Sequence, residues 1–366
     1  MSSEFSLSKY LNNGIENIIK GIVKASFKNP KETAFIAKYA LASKESKKKR
    51  EYFEKKGENI PGFLISSITN SCNLFCKGCY ARANQSSGED YKKQQLSSER
   101  WKTIFQEAKE IGISFILLAG GEPLMRREVI EKASEVKEII FPIFTNGTMV
   151  QEGYIKLFDK NRNLVPMLSI EGDKELTDIR RGEGTYDKLM NVMNSLEEKG
   201  ILYGVSITVT SENIENVTGK TFINKLYQKG CRAIIFIEYV PVTEETKYLA
   251  PTDEEREILE IKQQELREDY EDAIFLSFPG DEKYSGGCLA AGRGFFHINV
   301  DGSAEPCPFS PYSDINLNNC TLRDALNSQL FKKLNETGLL LGEHDGGCLL
   351  FEKENEVKKL LKDCNK

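Results

Sequence analysis

The sequence predicts an α/β fold built on a parallel sheet, and three observations lead there. Six apolar runs rich in β-branched and aromatic residues start at Phe63, Phe115, Phe141, Leu164, Tyr203 and Ala233. They are apolar on successive residues rather than alternating, as strands covered on both faces are. Their starts lie 23 to 52 residues apart, with helical patterns such as Ser98–Ile111 and Asp187–Lys199 between them. Alternation at that spacing gives parallel strands joined by crossover helices, in a sheet either open or closed into a barrel.

Taken in order, residues 14–60 read as charged helix, broken at Asn29-Pro30 and ending in a basic stretch over Lys44–Lys56. The six strand–helix units follow. Residues 246–270 form a charged helical pattern. Beyond Gly280 the chain becomes rich in Gly, Pro and Cys, with a hairpin signal at Asp301-Gly302. A helix around Leu322–Leu334 and a tail helix over Lys353–Lys362 complete the chain, with no tandem repeat.

Composition narrows the function classes. Hydrophobic residues make up 40% of the 366 and charged residues 29%, an ordinary folded composition. The longest apolar runs, around Phe115–Ala119 and Ala233–Ile237, are far too short to span a bilayer, and mean hydropathy is −0.42. Met1–Asn13 lacks the pattern of a secretory signal, so a cytoplasmic protein is expected. A net charge of −5 argues against bulk nucleic-acid binding. That charge is uneven: Lys20–Lys56 carries 12 basic and 4 acidic residues. Such a stretch either docks on an anionic membrane or acidic partner, or is a solvated helical face packed on the barrel.

Nine cysteines and two histidines restrict any metal site to sulfur, which selects zinc or iron–sulfur clusters. Three cysteines fall within eight residues directly after the first strand: Cys72-Asn-Leu-Phe-Cys76-Lys-Gly-Cys79-Tyr80. Their i, i+4, i+7 spacing also suits a helical core stripe, a reading that Gly78 and the preceding extended run weaken. Structural zinc wants four ligands, usually two CxxC pairs. Three thiolates in one loop suit a 4Fe–4S cluster with one iron left open. Every polar motif sits at the C-terminal end of a strand: Cys72–Cys79, Gly120–Pro123, Thr145–Thr148, Ser169–Gly172, Thr208–Thr210 and Glu238–Val240. Parallel α/β folds bind ligands on that face.

CxxxCxxC followed by an aromatic residue resembles the radical SAM superfamily. Gly120-Gly121-Glu122-Pro123 is similar to that family's glycine motif, and Thr145-Asn146-Gly147-Thr148 also resembles it. Arg181-Gly182-Glu183-Gly184-Thr185-Tyr186 resembles a segment of the subgroup with extra clusters. The resemblance spans roughly 61–350 and implies a partial (β/α)6 barrel of parallel strands over 61–245. A basic helical extension (1–60), a helical linker (246–285) and a small twitch-like iron–sulfur domain (286–366) would surround it.

By this resemblance Cys72, Cys76 and Cys79 hold three irons, and S-adenosylmethionine (SAM) chelates the fourth. Gly120 and Gly121 would admit the methionyl end, Glu122 would accept from its ammonium group, and Arg181 would pair with its carboxylate. Pro123 and Asn146 belong to the same motifs. Ser169 and Glu171 would meet the ribose, and Tyr80 and Tyr239 would flank adenine. For Ser169, Glu171 and Tyr239 ordinary loop hydrogen bonding is the alternative. Reductive cleavage of SAM would yield a 5′-deoxyadenosyl radical that abstracts a substrate hydrogen.

Gly286-Gly287-Cys288-Leu289 and Gly346-Gly347-Cys348-Leu349 repeat one tetrapeptide, with Cys307 between them in a GxxxxC segment. This resembles the SPASM and twitch domains that carry auxiliary clusters. Five cysteines here, against the seven of a full SPASM domain, imply one auxiliary 4Fe–4S cluster on Cys288, Cys307 and Cys348, with Cys320 as an uncertain fourth ligand. Cys231 reads as a buried inert thiol, Cys364 as a non-ligand and His297 as structural; His344 either faces the site or is exposed.

The implied substrate is a peptide or protein side chain. The alternatives are a small molecule, as for the molybdenum-cofactor cyclase or twitch dehydrogenases, or a non-enzymatic iron–sulfur or zinc protein. An electron donor such as flavodoxin or ferredoxin is implied as a partner.

Overall fold

The computed structural model describes residues 6–26, 29–83, 94–241, 244–341 and 348–364. The six expected strands are β1 (Phe63–Thr69), β2 (Phe115–Gly120), β3 (Phe141–Thr145), β4 (Leu164–Ser169), β5 (Gly204–Val209) and β6 (Ala233–Glu238). A seventh, β7 (Ile274–Phe278), lies where the sequence pattern predicts only a helical linker. Five residues, with burial alternating along them, are too few to separate a strand from the end of the preceding helix. Two short strands follow, β8 (His297–Ile298) and β9 (Ala304–Glu305).

The nine strands among the described residues form one sheet in the order β7-β6-β5-β4-β3-β2-β1-β8-β9. Strands β1 to β7 pair in parallel, each with its chain neighbour. Sheet order that follows chain order, with helical crossovers of constant hand, is the winding of a partial barrel. Strand β8 lies parallel to β1 and antiparallel to β9. The Cys-rich segment is therefore stitched to the barrel edge through the Asp301-Gly302 hairpin.

Local chemistry sets the helix boundaries. The charged helix begins at Asp253 because Thr252 and Glu255 form a reciprocal capping box. The helix expected over 322–334 is two, Leu322–Leu326 and Gln329–Glu336, because the Ser328 side chain starts a new one by accepting from Phe331 N.

The N-terminal extension is two helices, α1 (Leu7–Ser26) and α2 (Pro30–Glu54). Asn29 caps α2 and Pro30 occupies its first turn. Ile15, Ile19 and Ile22 of α1, with Ile36 and Tyr39 of α2, pack on Phe115, Ile140 and Val165 at the entry ends of the strands. The extension thus closes the N-terminal mouth of the barrel. Polar contacts fix it there: Glu32 pairs with buried Arg162 at 2.5 Å, and Arg50 donates to Gly112 O, Ser114 Oγ and Asn12 Oδ1. Lys31 pairs with Asp159 and Lys47 with Glu16. Part of the basic charge between Lys20 and Lys56 is thus spent on docking. Among the described residues no helix is long and apolar enough to cross a membrane.

Candidate functional site

The loop after β1 carries Cys72, Cys76 and Cys79. A register shift between Ser67 and Thr69 breaks the β1–β2 ladder just before it and re-aims the chain. The loop then lies against the β2 loop, with Gly121 N donating to Thr69 O and Glu122 N to Ser71 O, both at 2.8 Å. A Cβ on Gly120 would sit 2.3 Å from Thr69 O, and one on Gly121 2.1 Å from Ser71 O. Both glycines line the cavity, yet the approach that demands them is that of protein backbone rather than of a ligand.

Glu122 is likewise committed to the protein. It is 1% exposed; Oε1 accepts from Leu124 N and Thr145 Oγ1, and Oε2 from Asn146 N. Burial raises its pKa, against the pull of those three donors and of Arg181. The carboxyl ties the β2 loop to the β3 loop, and Pro123 begins a 3₁₀ turn and is buried off the cavity. Asn146 completes the weld by donating to Asn73 Oδ1 in the cysteine loop at 2.9 Å.

Glu171, expected at the ribose, is held by hydrogen bonds within the protein. It is 1% exposed and absent from the cavity wall, because Arg180 and Arg181 both donate to Oε1 while Thr208 N donates to Oε2. It anchors the two arginines, which do face the cavity. Arg181 Nη1 lies 4.0 Å from Cys76 Sγ. Burial works against the Arg181 charge, but Glu171 and the Cys76 and Cys79 thiols outweigh it and raise its pKa. Ser169 lines the cavity with its Oγ 3.2 Å from Ser206 Oγ. Tyr239 lies over Gly78, where a Cβ would meet its hydroxyl at 2.6 Å, and that hydroxyl has no hydrogen-bond partner among the described residues. Tyr80 meets Phe309 edge-on at 5.1 Å, joining the cysteine loop to the C-terminal segment.

These groups open on one cavity of about 1020 Å³, which runs from the three thiols down the barrel to α1. Its lower walls are strand side chains such as Leu117, Phe144 and Met167. Its rim includes Glu282, Leu289 and Phe309 of the C-terminal segment.

The structure brings Cys288, Cys307 and Cys348 together. Burial pushes the Cys307 thiol well up; the hydrogen bond it donates to Cys348 and the nearness of Cys348 and Cys288 add to this. Cys320 lies elsewhere: its thiol donates to Asn316 O at 3.1 Å, and its charged neighbours are Asp324, Arg100 and Glu107. Among the described residues no three Cys, His, Asp or Glu side chains close on a site for a single metal ion. His297 has both ring nitrogens occupied, by Ser67 at 2.8 Å and Glu305 at 2.7 Å. Cys231 is buried, which pushes its thiol up to about 12. His344 and the Gly346-Gly347 pair lie outside the described residues.

Sequence reasoning did not find Arg180, Asn73 or Glu282. Arg180 is legible only as a neighbour of Arg181, and Glu282 sits in a charged loop with no motif around it.

Comparison with known proteins agrees with this architecture. The Radical SAM superfamily model matches residues 66–218. Sporulation killing factor maturation protein SkfB of Bacillus subtilis is 31% identical over 163 residues, 43% of this chain and 38% of that protein. An AdoMet-dependent heme synthase of Methanosarcina barkeri is 25% identical over 316 residues, 78% of this chain and 88% of that protein. The chain spans less than half the length of the first curated relatives it matches. Among solved structures, Streptococcus suis SuiB bound to precursor peptide SuiA shares the fold at a TM-score of 0.64 and 17% identity, over 88% of this chain and 78% of that one. With the thiol loop, the glycine weld and the parallel strands in that family's order, residues 66–218 are similar to the Radical SAM superfamily.

Proposed function

We propose that this chain is a radical SAM enzyme that works with a 4Fe–4S cluster and SAM, modifies a peptide or protein side chain and carries one auxiliary 4Fe–4S cluster in its C-terminal segment. The carrying observation is a cavity lined both by the Cys72–Cys79 loop and by Glu282, Leu289 and Phe309, neighbours of the second cysteine group. A substrate held there contacts both cysteine groups' surroundings at once. Relatives named as maturases and a peptide cyclase support a peptide substrate. The heme synthase match, which covers 88% of that relative, together with the apolar barrel walls, favours a second reading: an apolar small molecule.

The residues fit the cofactors. Cys72, Cys76 and Cys79 give an all-sulfur donor set facing the cavity, and Cys288, Cys307 and Cys348 give a second, more deeply buried all-sulfur group. When bound, the first cluster and SAM supply a 5′-deoxyadenosyl radical for hydrogen abstraction. Arg181 places positive charge beside Cys76, where it would pair with the carboxylate of SAM. Tyr239 and Tyr80 offer ring faces and Tyr239 an unused hydroxyl; Ser169 offers a second hydroxyl. The barrel walls and α1 exclude water from the substrate side.

The test is anaerobic incubation with SAM and reductant, reading 5′-deoxyadenosine and methionine. Cys76→Ala abolishes both products; a variant that cleaves SAM at the wild-type rate overturns the assignment. Mass spectrometry with peptides encoded by neighbouring genes then separates the peptide reading from the small-molecule one.

A further inference from the structure

The second cysteine group has three members, and a cluster of four irons leaves one iron without a protein thiolate. Cys320 does not supply it, since its thiol is held by Asn316 O away from the other three. A carboxyl does stand beside Cys288. Glu282 lies on a 3₁₀ turn, Gly280–Ser285, six residues before Cys288, and its side chain is hydrogen-bonded with the Cys288 thiol.

Three features separate Glu282 from an ordinary buried acid. It is 4% exposed, yet it lines the cavity. Its Oε1 has no hydrogen-bond partner among the described residues. Arg293, the nearby cation, spends its guanidinium on Cys288 O and Leu340 O. Leu289 N and the Cys288 thiol reach the carboxyl, but a buried oxygen left without a partner is costly unless a cation or metal compensates it. The turn is also rigid: Ser285, fully buried, donates to Glu282 O at 2.6 Å and Gly287 O at 2.8 Å. A Cβ on Gly287 would meet Leu340 O at 2.2 Å, so Cys288 and the turn are locked in one arrangement.

We infer that Glu282 is the fourth protein ligand of the auxiliary cluster, binding through Oε1 the iron that Cys288, Cys307 and Cys348 do not hold. The inference rests on the auxiliary-cluster reading above. It closes that cluster with one oxygen ligand, so substrate meets the carboxylate side of the cluster rather than a bare iron. The rival role is a hydrogen bond from Glu282 to the Cys288 sulfur, with the fourth iron left open.

The test uses the full chain with Cys72, Cys76 and Cys79 all replaced by Ala, which isolates the auxiliary cluster. After anaerobic reconstitution it retains about four irons; a folded variant with none overturns the auxiliary cluster itself, and with it this inference. Mössbauer spectra of ⁵⁷Fe-loaded protein then show about one iron in four with an oxygen-ligated signature. Added cyanide leaves the reduced cluster's EPR signal unchanged, because every iron is capped. In that background, both Glu282→Gln and Glu282→Ala lose the oxygen signature and gain cyanide-sensitive EPR. Glu282→Cys restores cyanide resistance with an all-sulfur spectrum, which keeps the test decisive where the Ala variant loses its cluster. Unchanged Mössbauer and EPR spectra in Glu282→Ala overturn the ligand assignment. So does a wild-type cluster that already binds cyanide, or failure of Glu282→Cys to assemble an all-sulfur cluster in a folded protein.

Discussion

Gly121→Ala tests whether the glycine motif is a weld between loops. The new Cβ would lie 2.1 Å from Ser71 O and 2.6 Å from Ser71 C, both backbone atoms of the cysteine loop. Carbon contacts settle at about 3.5 Å, so the loops must part by roughly 1 Å. That displacement breaks Gly121 N to Thr69 O and Glu122 N to Ser71 O, each 2.8 Å long. Two hydrogen bonds at about 1 kcal/mol each, and overpacking at about 2 kcal/mol, give a loss of about 4 kcal/mol around the thiols. A catalytic group moved by about 1 Å costs on the order of 100-fold in rate. The expected result is loss of iron from the Cys72–Cys79 site and 5′-deoxyadenosine formation reduced about 100-fold. Gly153→Ala is the control, since its Cβ in the helix Glu152–Lys160 would meet only the end of the Arg127 side chain, at 3.4 Å, and lies off the cavity. It should raise stability by about 0.5–1 kcal/mol and leave iron and rate intact. Wild-type iron content, rate and urea midpoint in Gly121→Ala would refute the weld.

Glu171→Gln leaves two arginines without their buried counter-charge and should lower stability by about 3 kcal/mol in urea titration; an unchanged midpoint removes its anchoring role. Tyr239→Phe deletes a hydroxyl that the protein does not satisfy, so the melting temperature should hold or rise while SAM binding weakens about tenfold. Unchanged SAM affinity by calorimetry would take Tyr239 out of the binding site. Cys320→Ala should leave iron content and spectra unaltered, whereas loss of a cluster would make that thiol a ligand. Flotation with anionic liposomes at low ionic strength should show no salt-sensitive binding, because Arg50, Lys31 and Lys47 are engaged within the protein. Binding that salt abolishes would restore the docking reading.

The barrel was legible because its signals are local. Runs such as Phe115–Ala119 and Ala233–Ile237 must be strands, since apolar side chains on both faces need cover from crossover helices. Motif positions at strand ends followed from the same alternation, which put the cysteine loop, the glycine motif and Asn146 on one face. The chain also announces its sulfur chemistry, because three cysteines in one loop and two histidines in all leave few other ligands.

Tertiary structure decided which polar groups are free and which are spent. Glu122 and Glu171 show nothing of their partners in one dimension, and folding brings them donors from β3, β5 and two arginines. Hydrogen-bond satisfaction joins residues far apart in the chain, so no local pattern records it. The same holds for β7, whose strand identity comes from pairing with β6, and for α1 and α2, whose apolar faces close the barrel. Glu282 carries no motif, and only folding sets its unpartnered oxygen beside Cys288. The sequence alone determined the fold class and the metal-binding chemistry, since both follow from local pattern and side-chain type. Three-dimensional packing alone assigned the carboxylates their roles, because whether a buried acid is satisfied depends on donors that chain distance does not predict.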